Sequence, residues 1–302
     1  MNQQILQASD LVYLAPELTV LIFAFLLAVI DLLAPKGVRR DFIGWLALIG
    51  LVISAIFTIG QLNIGEPVQL LNQSYRIDDF AALFKLIFLG SAALIILMSL
   101  GDRKAEDIPH VGEFYYFFLP ATLGAMIMAS SGDMITLYVG LEVLSITTYI
   151  MVGMRKFNIL SNEAAFKYLV LGGISSAMFL YGVSFLYGMT GTTNMAEMAT
   201  ALNMQVASFP LLIYVALFLI LAGLAFKTAA VPFHVWAPDV YQGAPMPVTA
   251  YLAVVSKAAG FAVLFRMVYN VFYGVGDPLL APIHMDLFLA LVILAGLSMI
   301  IG

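Results

Sequence analysis

The chain has 302 residues, of which 63% are hydrophobic and 10% charged, with a mean hydropathy of +1.02 and a formal net charge of −5. A water-soluble domain carries about 45–50% apolar and about 25% charged residues, so this composition excludes the soluble globular class and points to a polytopic membrane protein. Cysteine is absent, which excludes disulfides, thiolate-held iron–sulfur clusters and cysteine zinc sites within the chain.

The start, "MNQQILQASD", lacks the basic residues of a cleavable signal peptide, so the first apolar run is expected to stay as a spanning helix. A span needs about 20 apolar residues. In chain order the runs are 14–33, 43–62, 80–100, 114–131, 134–153, 164–187, 209–229, 247–273 and 286–302. Between them lie "APKGVRRD", "NIGEPVQLLNQSYRIDD", "GDRKAEDIPHVGE", "SSGD", "MRKFNILSN", "TGTTNMAEMAT" and "GVGDP", rich in the residues that end helices and make turns. The last run has no polar tail, and a helix ending there would leave its final carbonyls unsatisfied in lipid. A fragment of a longer protein is therefore expected.

Lys and Arg set the orientation. Lys36, Arg39 and Arg40 follow run one, Arg103 and Lys104 follow run three, and Arg155 and Lys156 follow run five. The even loops hold only Arg76 outright, with Arg266 near the end of run eight. The positive-inside bias puts the N-terminus outside and these odd loops in the cytoplasm.

Four lysines fall inside spans, at positions 85, 167, 227 and 257, joined by Glu142. Each costs about 2.5–3.5 kcal/mol at a helix centre on insertion scales, a large penalty in a chain that otherwise avoids charge. A structural ion partner for Glu142 and a hinge without ion chemistry at Lys227 are the rivals to a functional role. Glu142 is nine residues past Asp133, about 14 Å into a core about 30 Å thick, too deep to snorkel. Lys257 is nine residues past Val248 among Ala258, Ala259 and Gly260, small neighbours that let a helix or water come close. Lys227 precedes Pro232 in "AGLAFKTAAVPFHVW". That proline clashes with the carbonyl of residue 228, so the helix is expected to break there. A break at membrane depth needs protein or water to satisfy the freed backbone, and it places carbonyls beside the ammonium.

Lys167 is about 8 Å from its edge, where snorkelling and function compete. Lys85 follows Asp78 and Asp79; it could pair with them or snorkel outward, and snorkelling is favoured. His234 changes charge near neutral pH and reads equally as a hydrogen-bonded structural group or a proton relay. His110 and His284 read as interfacial, and three scattered histidines make a poor metal constellation, so no metal is expected. Burial favours a neutral lysine, whereas a carboxylate brought near favours the ammonium. Glu142, Lys167, Lys227, Lys257 and His234 are therefore the candidate proton-relay residues.

The segments "LYVGLEVLSITTYIMVG", "NEAAFKYLVLGGISSAMFLYG" and "GLAFKTAAVPFHVWAPDVYQGAPMPVTAYLAVVSKAAGF" resemble the antiporter-like membrane subunits of the respiratory proton-pumping NADH:quinone oxidoreductase, complex I. The resemblance covers essentially the whole chain and is most specific at "FKTAAVPFHVWAPDVYQGAP". It implies an all-α transmembrane bundle of fourteen helices with two inverted five-helix repeats, each carrying a broken helix. Glu142 is then the carboxylate of the fifth helix, Lys167 the lysine of the sixth, Lys227 that of the broken seventh and Lys257 that of the eighth. The chain divides into a three-helix segment over 1–110, a first repeat over 111–275 with its break near 227–240, and the start of a second repeat over 276–302.

The resemblance further implies a membrane-arm subunit in a bacterial plasma membrane, moving protons while its partner subunits pass electrons from NADH to quinone. No cofactor is expected in this chain. NAD, FMN, iron–sulfur clusters and quinone belong to the other subunits, and its own contacts are those membrane subunits and lipid. With no basic patch or nucleic-acid motif, no nucleic-acid partner is expected. The alternatives are a cation/proton antiporter subunit, a membrane-bound hydrogenase subunit, or a scaffold.

Overall fold

A computed structural model describes residues 10–35, 38–100, 108–205, 208–272 and 281–301. Lys36, Arg103, Lys104 and the turn "GVGDP" lie outside the described residues. Among those described, nine helices are long and apolar enough to cross a membrane. The all-α polytopic bundle read from the sequence is the observed fold.

The helices begin where the chain supplies capping groups. A four-residue turn, α1 (Asp10–Tyr13), leads into α2 (Ala15–Leu33), which opens on Pro16, a residue that costs nothing where the amide has no helical partner. α3 (Asp41–Ile59) follows. α4 (Asp79–Ser99) is capped by Asp78, whose side chain accepts from the Ala81 amide at 2.8 Å. α5 (Val111–Tyr116) and α6 (Phe118–Ser130) form one near-continuous span. α7 (Met134–Val152) is capped by Asp133 and α8 (Ile159–Thr190) by Asn158. α8 is longer than the apolar run 164–187 because Asn158 starts it a turn early and Gly191, at φ 71°, ends it.

Two loops carry more structure than their composition announces. "NIGEPVQLLNQSYRIDD" contains a hairpin, β1 (Val68–Leu70) against β2 (Tyr75–Ile77), with Gln69 opposite Arg76. It is pinned across the end of α6, where the Gly132 amide donates to the Ser74 carbonyl at 2.8 Å. "TGTTNMAEMAT" begins α9 (Met195–Gln205), capped by Asn194, with Met195, Met198, Ala199 and Leu202 on its buried face. That one-sided spacing is helical; the polar residues between hide it from a hydropathy scan.

α10 (Pro210–Thr228) lies along α8, and α6 lies along α7. Membrane helices approach where side chains are small. A Cβ on Gly124 of α6 would strike the Leu144 amide and Gly140 carbonyl of α7. After α10 come α11 (Trp236–Gly243) and a continuous helical run, Met246–Phe272, formed by α12 (Met246–Tyr251), a π-helical turn (Leu252–Ser256), α13 (Lys257–Met267) and a second π turn (Val268–Phe272). α14 (Ala281–Ile301) completes the described chain.

Lys85 corrects the sequence reading. It does not snorkel: its side chain is fully buried, with Nζ 2.8 Å from Glu17 Oε1 of α2. Its partner lies 68 positions earlier rather than at Asp78 or Asp79, and an ammonium paired with a carboxylate has no need of the interface.

Candidate functional site

α10 ends one residue after Lys227, at Thr228. Ala229 turns left-handed at φ 56° and ψ 40°, the Ala229 amide donates to Phe226 O at 3.0 Å, and the Ala230 amide reaches back to Ala225 O at 2.8 Å. This is a Schellman ending with alanine in the place glycine usually takes. The freed backbone is satisfied as a break at membrane depth requires. Trp236 Nε1 donates to Phe226 O at 2.9 Å, and the Val231 amide donates to Ser298 Oγ of α14 at 3.0 Å. α11 then restarts the helix at Trp236.

Lys227 is 5% exposed, and its Nζ donates to Ser145 Oγ of α7 at 2.9 Å. The Ser145 hydroxyl in turn donates to Leu141 O at 2.6 Å. Glu142 sits three residues before Ser145, on the same helical face. Its Oε1 is buried without a hydrogen-bond partner among the described residues. Its charge reaches Lys227, and Tyr138, one turn before, faces its carboxylate. The ammonium therefore rests on a neutral hydroxyl, with a carboxylate one turn away.

Lys257 begins α13 directly after the π turn, a distortion that re-aims side chains within a helix. It is half-buried, with Nζ 5.4 Å from the Tyr241 ring centroid. Three residues on, a Cβ at Gly260 would lie 3.0 Å from Thr228 Cγ2 and 3.3 Å from Lys227 Cγ. Glycine is thus what brings the helix of Lys257 against the break. His234 lies in the turn between the half-helices, half-buried, its Nδ1 without a partner among the described residues.

Lys167 stands apart from these groups. Its Nζ is 2.6 Å from Asp239 Oδ2 of α11 and 2.7 Å from Glu163 Oε1 of its own helix, and its side chain is 40% exposed. The structure thus brings Glu142, Lys227 and Ser145 together, sets Lys257 across Gly260, and leaves Lys167 clamped between two carboxylates at the end of the bundle.

Sequence reasoning missed the aromatic group between these stations. Tyr168 stacks on Trp236 with centroids 4.7 Å apart, Phe226 stacks on Trp236 at 5.1 Å, and Tyr241 meets Trp236 edge-on at 6.0 Å. Tyr149 closes the group against Tyr168 at 4.7 Å. It also missed Ser145, because "LSITTY" reads as ordinary span. It missed the bidentate pair of Arg266 with Asp78 as well, at 2.7 and 2.6 Å.

Residues 131–302 match the family described as NADH:quinone oxidoreductase/Mrp antiporter, transmembrane. NADH-quinone oxidoreductase subunit N of Brevibacillus brevis is 50% identical over 89% of this chain and 53% of its own length. Respiratory complex I from Thermus thermophilus with bound aureothin contains a chain that superposes with a TM-score of 0.68 at 31% identity, covering 83% of this chain and 52% of that one. A membrane-bound sulfane sulfur reductase, an archaeal respiratory membrane complex, superposes with a TM-score of 0.78 at 30% identity, covering 93% and 56%. The chain spans a little over half the length of the curated relatives it matches, 53% and 59% for two of them.

Proposed function

This chain belongs to the NADH:quinone oxidoreductase/Mrp antiporter transmembrane family, and from that premise we propose that it is the N-terminal part of a proton-translocating membrane subunit of a respiratory NADH:quinone oxidoreductase. The observation that carries this reading is Lys227: a buried ammonium at a helix break, resting on Ser145 with Glu142 one turn away. Burial favours the neutral amine, and an approaching carboxylate favours the ammonium. A small displacement of Glu142 toward Lys227 therefore draws a proton onto the amine, and its withdrawal releases that proton toward Lys257 beyond Gly260. Lys167, clamped by Glu163 and Asp239, is the group through which protons reach the relay from the bundle's end. His234, in the break, passes them across the turn.

In this reading the segments 1–110, 111–275 and 276–302 are an accessory three-helix unit, one repeat, and the opening of the next. The N-terminus faces outward, since Arg39, Arg40, Arg155 and Lys156 follow the first and fifth spans, and the bacterial relatives support the plasma membrane as its place. NAD, FMN, iron–sulfur clusters and quinone are bound by partner subunits of the assembled complex. The better superposition on the archaeal reductase supports a second reading, in which the same relay serves a membrane complex with a different electron acceptor.

The test uses the full-length chain in its native complex, in inverted membrane vesicles. Glu142→Gln is expected to leave the complex assembled and to stop NADH-driven acidification of the vesicle interior. Acidification at the parent rate overturns the proposal. Reduction of a sulfur acceptor in place of quinone identifies the second reading.

A further inference from the structure

A second set of buried polar groups lies at the far end of the bundle from Lys167, among elements the relay does not use. Glu17 of α2 is 7% exposed, and its Oε1 meets the Lys85 ammonium at 2.8 Å. Tyr75 of β2 puts its ring 5.4 Å from the same ammonium and turns its hydroxyl toward the Glu17 carboxylate and toward Ser130 at the end of α6. Beyond these contacts, Glu17 Oε2, the Tyr75 and Ser130 hydroxyls and Gln61 Oε1 are buried with no further hydrogen-bond partner among the described residues. Beside them Asp78 holds Arg266 through two bonds, at 2.6 and 2.7 Å, and Arg76 at 3.0 Å. The Arg266 charge reaches Tyr75. Asp79, the other carboxylate nearby, is exposed and accepts from the Asn63 amide.

A salt bridge that serves only to brace two helices has its remaining lone pairs satisfied, because each one left open costs about 1–3 kcal/mol. Here several open polar atoms surround one ion pair. Water that makes about three hydrogen bonds at once is the ordinary way such atoms are satisfied. Burial and the Glu17 charge together hold the Tyr75 phenol well above its usual range, so it keeps its one O–H to donate to that carboxylate and its lone pairs to accept from water.

We propose that Glu17, Lys85, Tyr75 and Ser130 enclose trapped water and form a proton-releasing station at the Asp78 end of the bundle, distinct from Glu142, Lys227 and Lys257. This rests on the proton-pumping reading above. A proton arriving on water moves to a Glu17 oxygen and breaks the charge contact with Lys85, which keeps its own proton. Lys85, Arg76 and Arg266 then face a single ionised carboxylate, Asp78, and this excess of positive charge expels the proton from Glu17 to water. The ion pair closes again, and the station has neither gained nor lost charge.

The full-length chain in the assembled complex tests this with Glu17→Gln combined with Lys85→Met, a double change that leaves no unpaired buried charge. Inverted vesicles report protons moved per NADH oxidised, and infrared difference spectra report carboxyl protonation during turnover. The expected result is an assembled complex with a reduced proton yield and the loss of one protonated-carboxyl band. An unchanged yield with unchanged bands overturns the station and makes the pair a brace. Tyr75→Phe, which keeps the ion pair, is expected to lower the yield as well and decides the question if the double variant fails to assemble. Glu142→Gln run alongside separates the two proposals. Full pumping in that variant removes the relay and the station with it, whereas pumping lost there but intact in the double variant removes the station alone.

Discussion

The two buried charge clusters are built on opposite plans. At the helix break Lys227 rests on a serine hydroxyl, Lys257 on the face of a tyrosine ring, and Glu142 keeps a buried oxygen without a partner. At the Asp78 end, Arg266 is held by two bonds to one carboxylate and a third, at 3.0 Å, to the Ala129 carbonyl. Weakly held charges can change partners, whereas a bidentate guanidinium is fixed in place. The difference is one of hold: the groups at the break each have a loose contact, whereas Arg266 is locked to Asp78 and braces the helices around it. α13 joins the two regimes, with Lys257 at one end and Arg266 at the other.

The comparison is broken most directly at Lys227. Lys227→Met is expected to leave assembly intact and lower proton-coupled turnover by about 100-fold or more, the scale of a positioned proton-transfer group, read as NADH oxidation in sealed vesicles. Asp78→Ala tests the other side. It strands Arg266 in a buried site and is expected to cost about 3–5 kcal/mol, measured by thermal unfolding of the purified chain in detergent, with a stable variant showing that the anchor is dispensable.

The same pair predicts an acid limit. Burial alone raises the Asp78 carboxyl, but the Arg266 hydrogen bonds and charge outweigh it and hold the carboxyl below its usual range. A carboxyl depressed in the folded state contributes stability above its unfolded value, near 3.9, and that contribution disappears as pH falls through the folded value. Stability measured against pH is therefore expected to decline on the acid side, and the decline should shrink in Asp78→Asn. Trp236→Phe keeps the aromatic stack but removes one of the two hydrogen bonds accepted by the Phe226 carbonyl, an expected loss of about 0.5–1.5 kcal/mol. Ala229→Gly is the smallest change and the only one expected to stabilise, by roughly 1 kcal/mol, because alanine is strained in the left-handed turn.

How much of this was legible followed from how far each cause reaches along the chain. The break could be read because Pro232 and Lys227 stand five residues apart in an otherwise apolar run. The place of Glu142 in the middle of α7 could be counted from its cap, Asp133. Lys85 was misjudged because its partner is on another helix, and nothing local separates a paired lysine from a snorkelling one. Ser145 was invisible because a serine that bonds its own helix and one that also carries an ammonium have the same neighbours in sequence. α9 was hidden by polar spacing, and Arg266 by its place near a helix end, where a basic residue ordinarily meets water.

Ser298 carries a consequence for the movement of the whole bundle. Its hydroxyl accepts the Val231 amide while donating to Leu294 of its own helix. One oxygen thereby ties the interrupted segment to α14, a helix more than sixty positions downstream. Sliding α14 by a fraction of a turn would strip that amide of its acceptor, so the joint would tighten or slacken with its neighbour. A shift of α14 would in this way reach, through a single hydroxyl, the turn three positions beyond Thr228.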